Sequence, residues 1–238
     1  VKFVLKLMLI SFKICSVLKW KRYRHPLFNS NTYVVYNDRG EAAIIDPTDL
    51  VVRQNVLRFI EKEKLKPVII INTHGHWDHI SGNRLLKETY GIPIAIHELD
   101  KEFLLRPDLN LGAFLGKFQD QYDTSPPADI TLKDGDIIFE MEVIHTPGHT
   151  PGSICLVHTD RSNPLMLFSG DTLFMDSIGR VDLPLGDEHE MLKSLKKLIK
   201  ILNENTLILP GHGEVGTWER LREQNIVLRE FLNSWTDS

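Results

Sequence analysis

The sequence predicts an α/β protein whose sheets pack in layers with helices outside. Three observations carry this reading. Short apolar runs with strand character recur in both halves of the chain, and amphipathic helical stripes stand among them in both halves. No repeat, low-complexity tract or linker divides the 238 residues, a length that suits one domain with a sizeable core.

The chain opens on a largely apolar stretch, Val1 to Leu18, that carries Lys2, Lys6 and Lys13 with Lys19 just beyond. A lysine at the centre of a membrane span costs roughly 2.5 to 3.5 kcal/mol, so no stable span is expected. The apolar run before Lys13 is short and no small-x-small site follows, which argues against a signal peptide. Lys2, Lys6 and Lys13 would share one helical face, while Phe3, Leu5, Leu7 and Leu9 alternate like a strand; the second pattern is preferred. Residues 1–16 are therefore read as an N-terminal extension of unknown role, ahead of a domain at 17–238.

Thr32 to Asn37 reads as a strand, Asp38-Arg39-Gly40 as a turn and Glu41 to Asp46 as the hairpin partner. Thr48 or Asp49 is placed to cap a helix running to about Lys64, with Val52, Val56, Leu57 and Ile60 as its apolar stripe. Residues 67–72 form a buried strand, Gly82 to Tyr90 a helix and Ile92 to Ile96 another short strand. Residues 98–127 are rich in proline and glycine around Leu109, Leu111, Phe114, Leu115 and Phe118, a composition suited to covering a cleft. Strands follow near 129–132, 136–145, 153–158 and 164–169. Met191, Leu192, Leu195, Leu198, Ile199 and Leu202 mark one helical face, Thr206 to Leu209 a last core strand, and Thr217 to Leu232 a closing helix.

A formal net charge of -4 offers no basic footprint, so nucleic acid is not an expected partner. Cys15 and Cys155 lie far apart and outside any ligand-type spacing, which points to core residues in a reducing, cytoplasmic compartment.

The run Thr73-His74-Gly75-His76-Trp77-Asp78-His79 sets three imidazoles and a carboxylate in seven residues, directly after the strand at 67–72. Packing gives no reason for this; imidazole and carboxylate are the donors that Zn, Fe and Mn accept. Four more segments repeat the grammar of an apolar strand followed by a turn with a ligand-type residue. They are Ile44-Ile45-Asp46-Pro47, Val143 to Ser153 with His149, Leu167 to Leu173 with Asp171 and Leu207 to Gly213 with His212. His74 and His76, two apart at a strand end, are able to point the same way. His97 and His145 read as hydrogen-bonded core imidazoles, and His25, His158 and His189 as surface or loop residues.

With these five motifs in this order, roughly residues 17 to 235 resemble the metallo-β-lactamase superfamily, in particular its short, single-domain glyoxalase II-like thioester hydrolases (hydroxyacylglutathione hydrolase-like). The resemblance implies a four-layer αββα sandwich with metals at the rim where strand-end loops meet. It implies two divalent metals, Zn first with Fe or Mn as alternatives: His74, His76 and His149 would bind one, Asp78, His79 and His212 the other, and Asp171 would bridge them. Asp46 is read as a residue that orients a ligand histidine rather than a ligand itself. Asp78 is read first as a ligand and second as a proton shuttle. Arg180 is assigned either to an anionic group of the substrate or to an ion pair with Asp182 or Asp176.

The chemistry implied is hydrolysis of a small-molecule acyl thioester such as S-lactoylglutathione by a metal-bridging hydroxide. A thiolate leaves without a general acid at neutral pH, its pKa being about 8.5. Asp171 stands where certain β-lactamases carry cysteine, and Trp77 where a flavodiiron oxygen reductase carries an acid. A persulfide dioxygenase with a single iron and a lactone hydrolase share the motif set and stand as alternatives, with a non-catalytic metal-binding module last. Only 26 residues follow His212, against the longer basic extension of relatives that grip glutathione, so weak dependence on the thiol carrier is expected.

Overall fold

Along the strands, alternate side chains enter different cores. The structure, a computed structural model, describes residues 17–115, 125–160 and 163–233; the expectations for residues 1–16 and for Phe118 lie outside them. In β2 (Asn31–Tyr36), β3 (Glu41–Ile45) and β4 (Lys66–Ile71), Tyr33, Val35, Ala43, Ile45, Ile69 and Ile71 face one way. Val34, Ala42, Ile44 and Ile70 face the other. Period two is the reason, since neighbouring Cβ atoms leave a strand on opposite faces.

These strands belong to a six-stranded sheet that runs β1 (Lys19–Arg24), β2, β3, β4, β5 (Ile94–His97), β6 (Ile130–Leu132) in chain order. A second sheet holds β7 (Ile137–Ile138), β8 (Met141–His145), β9 (Ile154–Asp160), β10 (Asn163–Gly170), β11 (Leu207–Pro210) and β12 (Gly216–Thr217), again neighbours in sequence. Val143, Ile154, Leu156, Phe168 and Leu209 of this sheet meet Tyr33, Ile45 and Ile71 of the first in the central core. Each such buried side chain contributes about 1.5 to 3 kcal/mol.

Helices cover both outer faces. On the first sheet lie α1 (Asp49–Val51), a wider π turn at Val52–Val56, α2 (Leu57–Glu63), α3 (Trp77–Ile80) and α4 (Asn83–Tyr90), through Val52, Val56, Ile60, Ile80 and Leu86. The expected helix to Lys64 is present, but Thr48 makes no side-chain cap bond. The chain then passes through α5 (Gly112–Leu115). On the second sheet lie α6 (Glu188–Ile199), α7 (Trp218–Gln224) and α8 (Ile226–Asn233), through Met191, Leu195, Leu198, Trp218, Leu221 and Leu228. The result is the four-layer αββα sandwich. Among the described residues no helix is long and apolar enough to cross a membrane.

Two local differences have physical causes. Strand β1 went unread because Lys19, Lys21, Arg22 and Arg24 mask its alternation; charged residues suit an edge strand, where they deter pairing with another chain. The closing helix is broken at Asn225, whose Oδ1 accepts from Leu228 N at 2.7 Å while its Nδ2 donates to the Phe174 and Ser177 carbonyls at 3.0 and 2.9 Å. A side chain that caps one helix and fastens a loop stops the other.

Candidate metal centre

Strands β3, β4, β8, β10 and β11 all end at one rim, and each hands over to a turn that carries a polar side chain. His74, His76 and His149 bring ligand atoms within 4.8 Å of one another, and so do Asp78, His79 and His212. Asp171 stands between the groups: Oδ2 lies 3.5 Å from His149 Nε2 and 3.4 Å from His212 Nε2, and Oδ1 lies 3.5 Å from His79 Nε2. Six of the seven sequence-selected residues are thus split into two triads, with the seventh in the middle.

The outer nitrogens of four histidines have partners, which turns the inner ones towards the centre. His74 Nδ1 lies 3.1 Å from Thr73 Oγ1, whose hydroxyl donates to Asp46 Oδ2 at 2.7 Å. His79 Nδ1 faces Asp46 Oδ2 at 3.2 Å, His149 Nδ1 the Arg180 carbonyl at 2.8 Å and His212 Nδ1 the Phe28 carbonyl at 3.0 Å. In the neutral imidazole, which is the form that binds a metal, each acceptor fixes the proton on Nδ1 and leaves Nε2 as the lone-pair donor. His76 is turned the other way, with Nδ1 2.9 Å from His149 Nε2. His79 Nε2 and His212 Nε2 approach to 3.1 Å. Inner nitrogens this close, with the buried His74 Nε2 and Asp171 Oδ1 lacking any hydrogen-bond partner, fit a site for cations.

Asp46 also has its atoms within reach of His74 and His79. Its oxygens, however, accept from Thr73 N (2.7 Å), Thr73 Oγ1 and His79 Nδ1, on the far side of the histidines from Asp171. Its backbone sits at φ +50, a left-handed conformation that Asp tolerates better than most residues. The turn aims the carboxylate sideways at the end of β4.

Charge divides the triads. Burial, followed by the neighbouring His149, pushes His76 down to about 3, and burial holds His74 well below the ordinary imidazole range. Burial also acts against charge on His79 and His212, but the carboxylates outweigh it: Asp78 and Asp171 carry His79 up to about 9, and the same pair carries His212 up to about 11. For Asp78, burial opposes ionisation, yet His79 and His212 hold it down to about 2. The carboxylates draw positive charge to this side, and protons and metal cations compete for it.

Glycine is required where the loops crowd. A methyl on Gly211 would overlap Asp171 Oδ1, and Gly148, at φ +137, lies against the Met191 backbone.

Sequence reading missed Asp100. This fully buried carboxylate accepts from Gly75 N (2.9 Å) and Thr150 Oγ1 (2.7 Å) through Oδ2 and from Gly152 N (2.6 Å) through Oδ1. It ties the turn holding His74 and His76 to the turn holding His149. Burial pushes its carboxyl up to about 6, against the pull of these hydrogen bonds. No local pattern marks it, because its partners lie 25 to 52 residues away.

Other histidines also differ from expectation. His25 is buried and accepts from Leu27 N and Phe28 N through Nδ1, so it shapes the turn beneath His212. His158 is a buried residue of β9 rather than a surface one, its Nδ1 against the Glu140 carbonyl at 2.9 Å. His189 is exposed, as expected. His97 is buried and His145 half-buried, stacked at 4.1 Å with planes 10° apart. Arg180 makes a two-pronged ion pair with Asp182, both contacts 2.9 Å, and it is the Arg180 carbonyl that touches the histidine cluster.

A cavity of about 710 Å³ opens over the centre, lined among others by His76, Asp78, Asp171, His212, Arg180 and Arg220. Comparison with known proteins agrees with the architecture. The profile of the metallo-β-lactamase superfamily matches residues 25–212. Hydroxyacylglutathione hydrolase GloC of Haemophilus influenzae (strain ATCC 51907 / DSM 11121 / KW20 / Rd) is 33% identical over 217 residues, covering 87% of this chain and 94% of that one. Among solved structures, BLEG-1 B3 metallo-β-lactamase superposes with a TM-score of 0.78 at 33% identity, covering 90% of this chain and 99% of that one. TTHA1623, solved in a di-iron-bound form, gives 0.74 at 29%, covering 87% and 98%.

Proposed function

The chain belongs to the metallo-β-lactamase superfamily, and within it we propose a dinuclear metal-dependent hydrolase of acyl thioesters, of the glyoxalase II-like kind. The observation that carries the reading is the meeting of two donor triads at one carboxylate, Asp171. His74, His76 and His149 would hold one divalent metal and Asp78, His79 and His212 a second, zinc first with iron or manganese as alternatives. Bound there, the pair would supply an activated water as nucleophile and withdraw charge from the substrate carbonyl.

The chain's own residues do the rest. Asp171 supplies the negative charge that two neighbouring cations need between them. Asp46, the Arg180 carbonyl and the Phe28 carbonyl fix the tautomers of His79, His149 and His212. Asp78, ionised and facing the cavity, is the group placed to carry a proton during turnover. A thioester suits the site because its thiolate departs without a strong acid. GloC supports the substrate class by its name, and TTHA1623 supports a two-metal centre. The free, buried thiol of Cys155 accords with a reducing cytoplasm. A persulfide dioxygenase with a single iron shares these residues, so the number of metals bound and the consumption of oxygen, rather than the donor set, separate the two readings.

Metal-loaded protein should release free thiol from S-lactoylglutathione at pH 7 without consuming oxygen, and lose the activity on treatment with chelator. Oxygen uptake with glutathione persulfide and no thiol from thioesters would replace the hydrolase by the dioxygenase.

A further inference from the structure

Beside the second triad lies a separate groove of about 460 Å³ that shares Asp78, Leu111, Leu183 and His212 with the larger cavity. Its walls are apolar: Phe28, Trp77, Leu111, Phe114, Leu183 and Pro184. We propose that this groove is the acyl subsite and that the preferred substrate carries a straight, apolar acyl chain of several carbons rather than a small hydroxyacyl group. The proposal rests on the thioester reading above and names its substrate class.

The walls are fastened to the catalytic framework. Phe28 and Trp77 pack edge to face at 5.6 Å. The Phe28 carbonyl accepts from His212, and Trp77 N donates to the Asn110 carbonyl at 2.8 Å. The groove is therefore held in register with the second triad. Leu111 is kept at φ +66, a conformation that a branched side chain adopts at a cost and that persists where its surroundings impose it. From that position its side chain faces both cavities.

Apolar surface is left to water here. Phe114 is 70% exposed, and Leu27 and Leu185, in the flanking segments, are 82% and 55% exposed. A contiguous apolar concavity beside a reactive centre is where a ligand's apolar part binds.

The polar groups in the groove are committed. Asp78 and His212 belong to the triad, while the Asn110 amide donates to the Phe103 carbonyl and accepts from Gly112 N. A hydroxyl on the acyl chain would gain nothing from the apolar walls and give up part of its hydration there, which disfavours it against a methylene. The larger cavity has the opposite character. It carries Arg24, Asp176, Ser177, Arg220 and Gln224 and is polar enough for the amides of a carrier thiol, although Arg24 is already paired with Glu214 and Arg220 with Gln224, in keeping with a weak grip on the carrier. With the thioester carbon at the triads, the two cavities take the two arms.

The test is the kcat/KM series for acetyl, lactoyl, butanoyl and hexanoyl esters of N-acetylcysteamine with the metal-loaded chain. Values should climb about two- to fourfold per methylene, hexanoyl exceeding acetyl at least about tenfold, with lactoyl below butanoyl. Leu111→Asn, which tolerates the backbone angle, and Phe114→Ser should each bring the hexanoyl-to-acetyl ratio towards one. Matching ketones, with a methylene in place of sulfur, measure the groove by calorimetry without turnover, and their Kd should fall with chain length by a similar factor. Thiol release and ketone affinity that both ignore chain length would overturn the subsite and leave the thioester reading standing. No thiol from any ester, with ketone affinity that still rises with length, would sink the thioester reading and keep the apolar subsite.

Discussion

The two donor groups on either side of Asp171 are built differently. His74, His76 and His149 are three buried imidazoles whose protonation is suppressed. The facing group mixes a carboxylate with two imidazoles, and its Asp78 and His212 side chains keep 20% and 26% of their surface in the open cavity. Its imidazoles attract protons strongly. The first group is thus a set of neutral donors that acid scarcely touches, and the second a charged set in which protons and metal exchange. A pair of metals held here would have one position robust to acid and one labile, and the labile one would border both cavities.

The largest effect should come from the residue the triads share. Asp171→Asn keeps the shape but removes the charge between two cations, so turnover should fall about a thousandfold or more, with metal content dropping to one equivalent or below. Cys155→Ala, in the helix-side core of the second sheet, should cost about 1 kcal/mol of stability and leave both metals in place. Elemental analysis of both variants decides this; equal metal content in the two would remove Asp171 from its central role.

Acid should separate the triads next. Protons compete at His79 and His212 throughout the range below about 9 and about 11, but at His76 only near about 3. Dialysis against progressively more acidic buffer should therefore release the equivalent at the second triad first and the other only at lower pH. Simultaneous loss of both would show that the two positions are equivalent.

Asp100 sharpens the comparison, because it serves the first triad alone. Asp100→Asn leaves a backbone donor facing an amide instead of a carboxylate oxygen, at about 1 to 3 kcal/mol. Metal affinity at the first triad should fall about 10- to 100-fold with the second little changed, as read by calorimetric titration. A weakening confined to the second triad would contradict the clamp.

Much of this centre was legible in the chain because its residues follow apolar strands by one to eight positions, and strand periodicity is a local signal. The partners that hold them were hidden for the opposite reason. Asp100 reaches Gly75 and Gly152, and Phe28 meets His212 through a carbonyl that every residue has. Burial of His25 and His158 likewise depends on neighbours far away in sequence. Edge strand β1 and the break at Asn225 show the same limit, since charge and a capping side chain override the apolar pattern there.

The smallest effect lies away from the centre, where His97 at the end of β5 stacks on His145 at the end of β8. Burial, then the neighbouring His145, lowers His97 to about 4 from 6.5. The unfolded chain takes up this proton first as pH falls, so the contribution is complete above about pH 6.5 and lost on the way down to about 4. The thermal midpoint should drop across that window, and His97→Gln should flatten the drop; an unchanged slope would assign the acid sensitivity to other groups.

The central claim is that both triads work together on a thioester. Stripped protein titrated with zinc, with free-thiol release followed at each step, tests it directly. Activity should stay near background through the first equivalent, rise in proportion to the second and level off at two. Full turnover with a single equivalent bound, unchanged by further zinc, would contradict the dinuclear account.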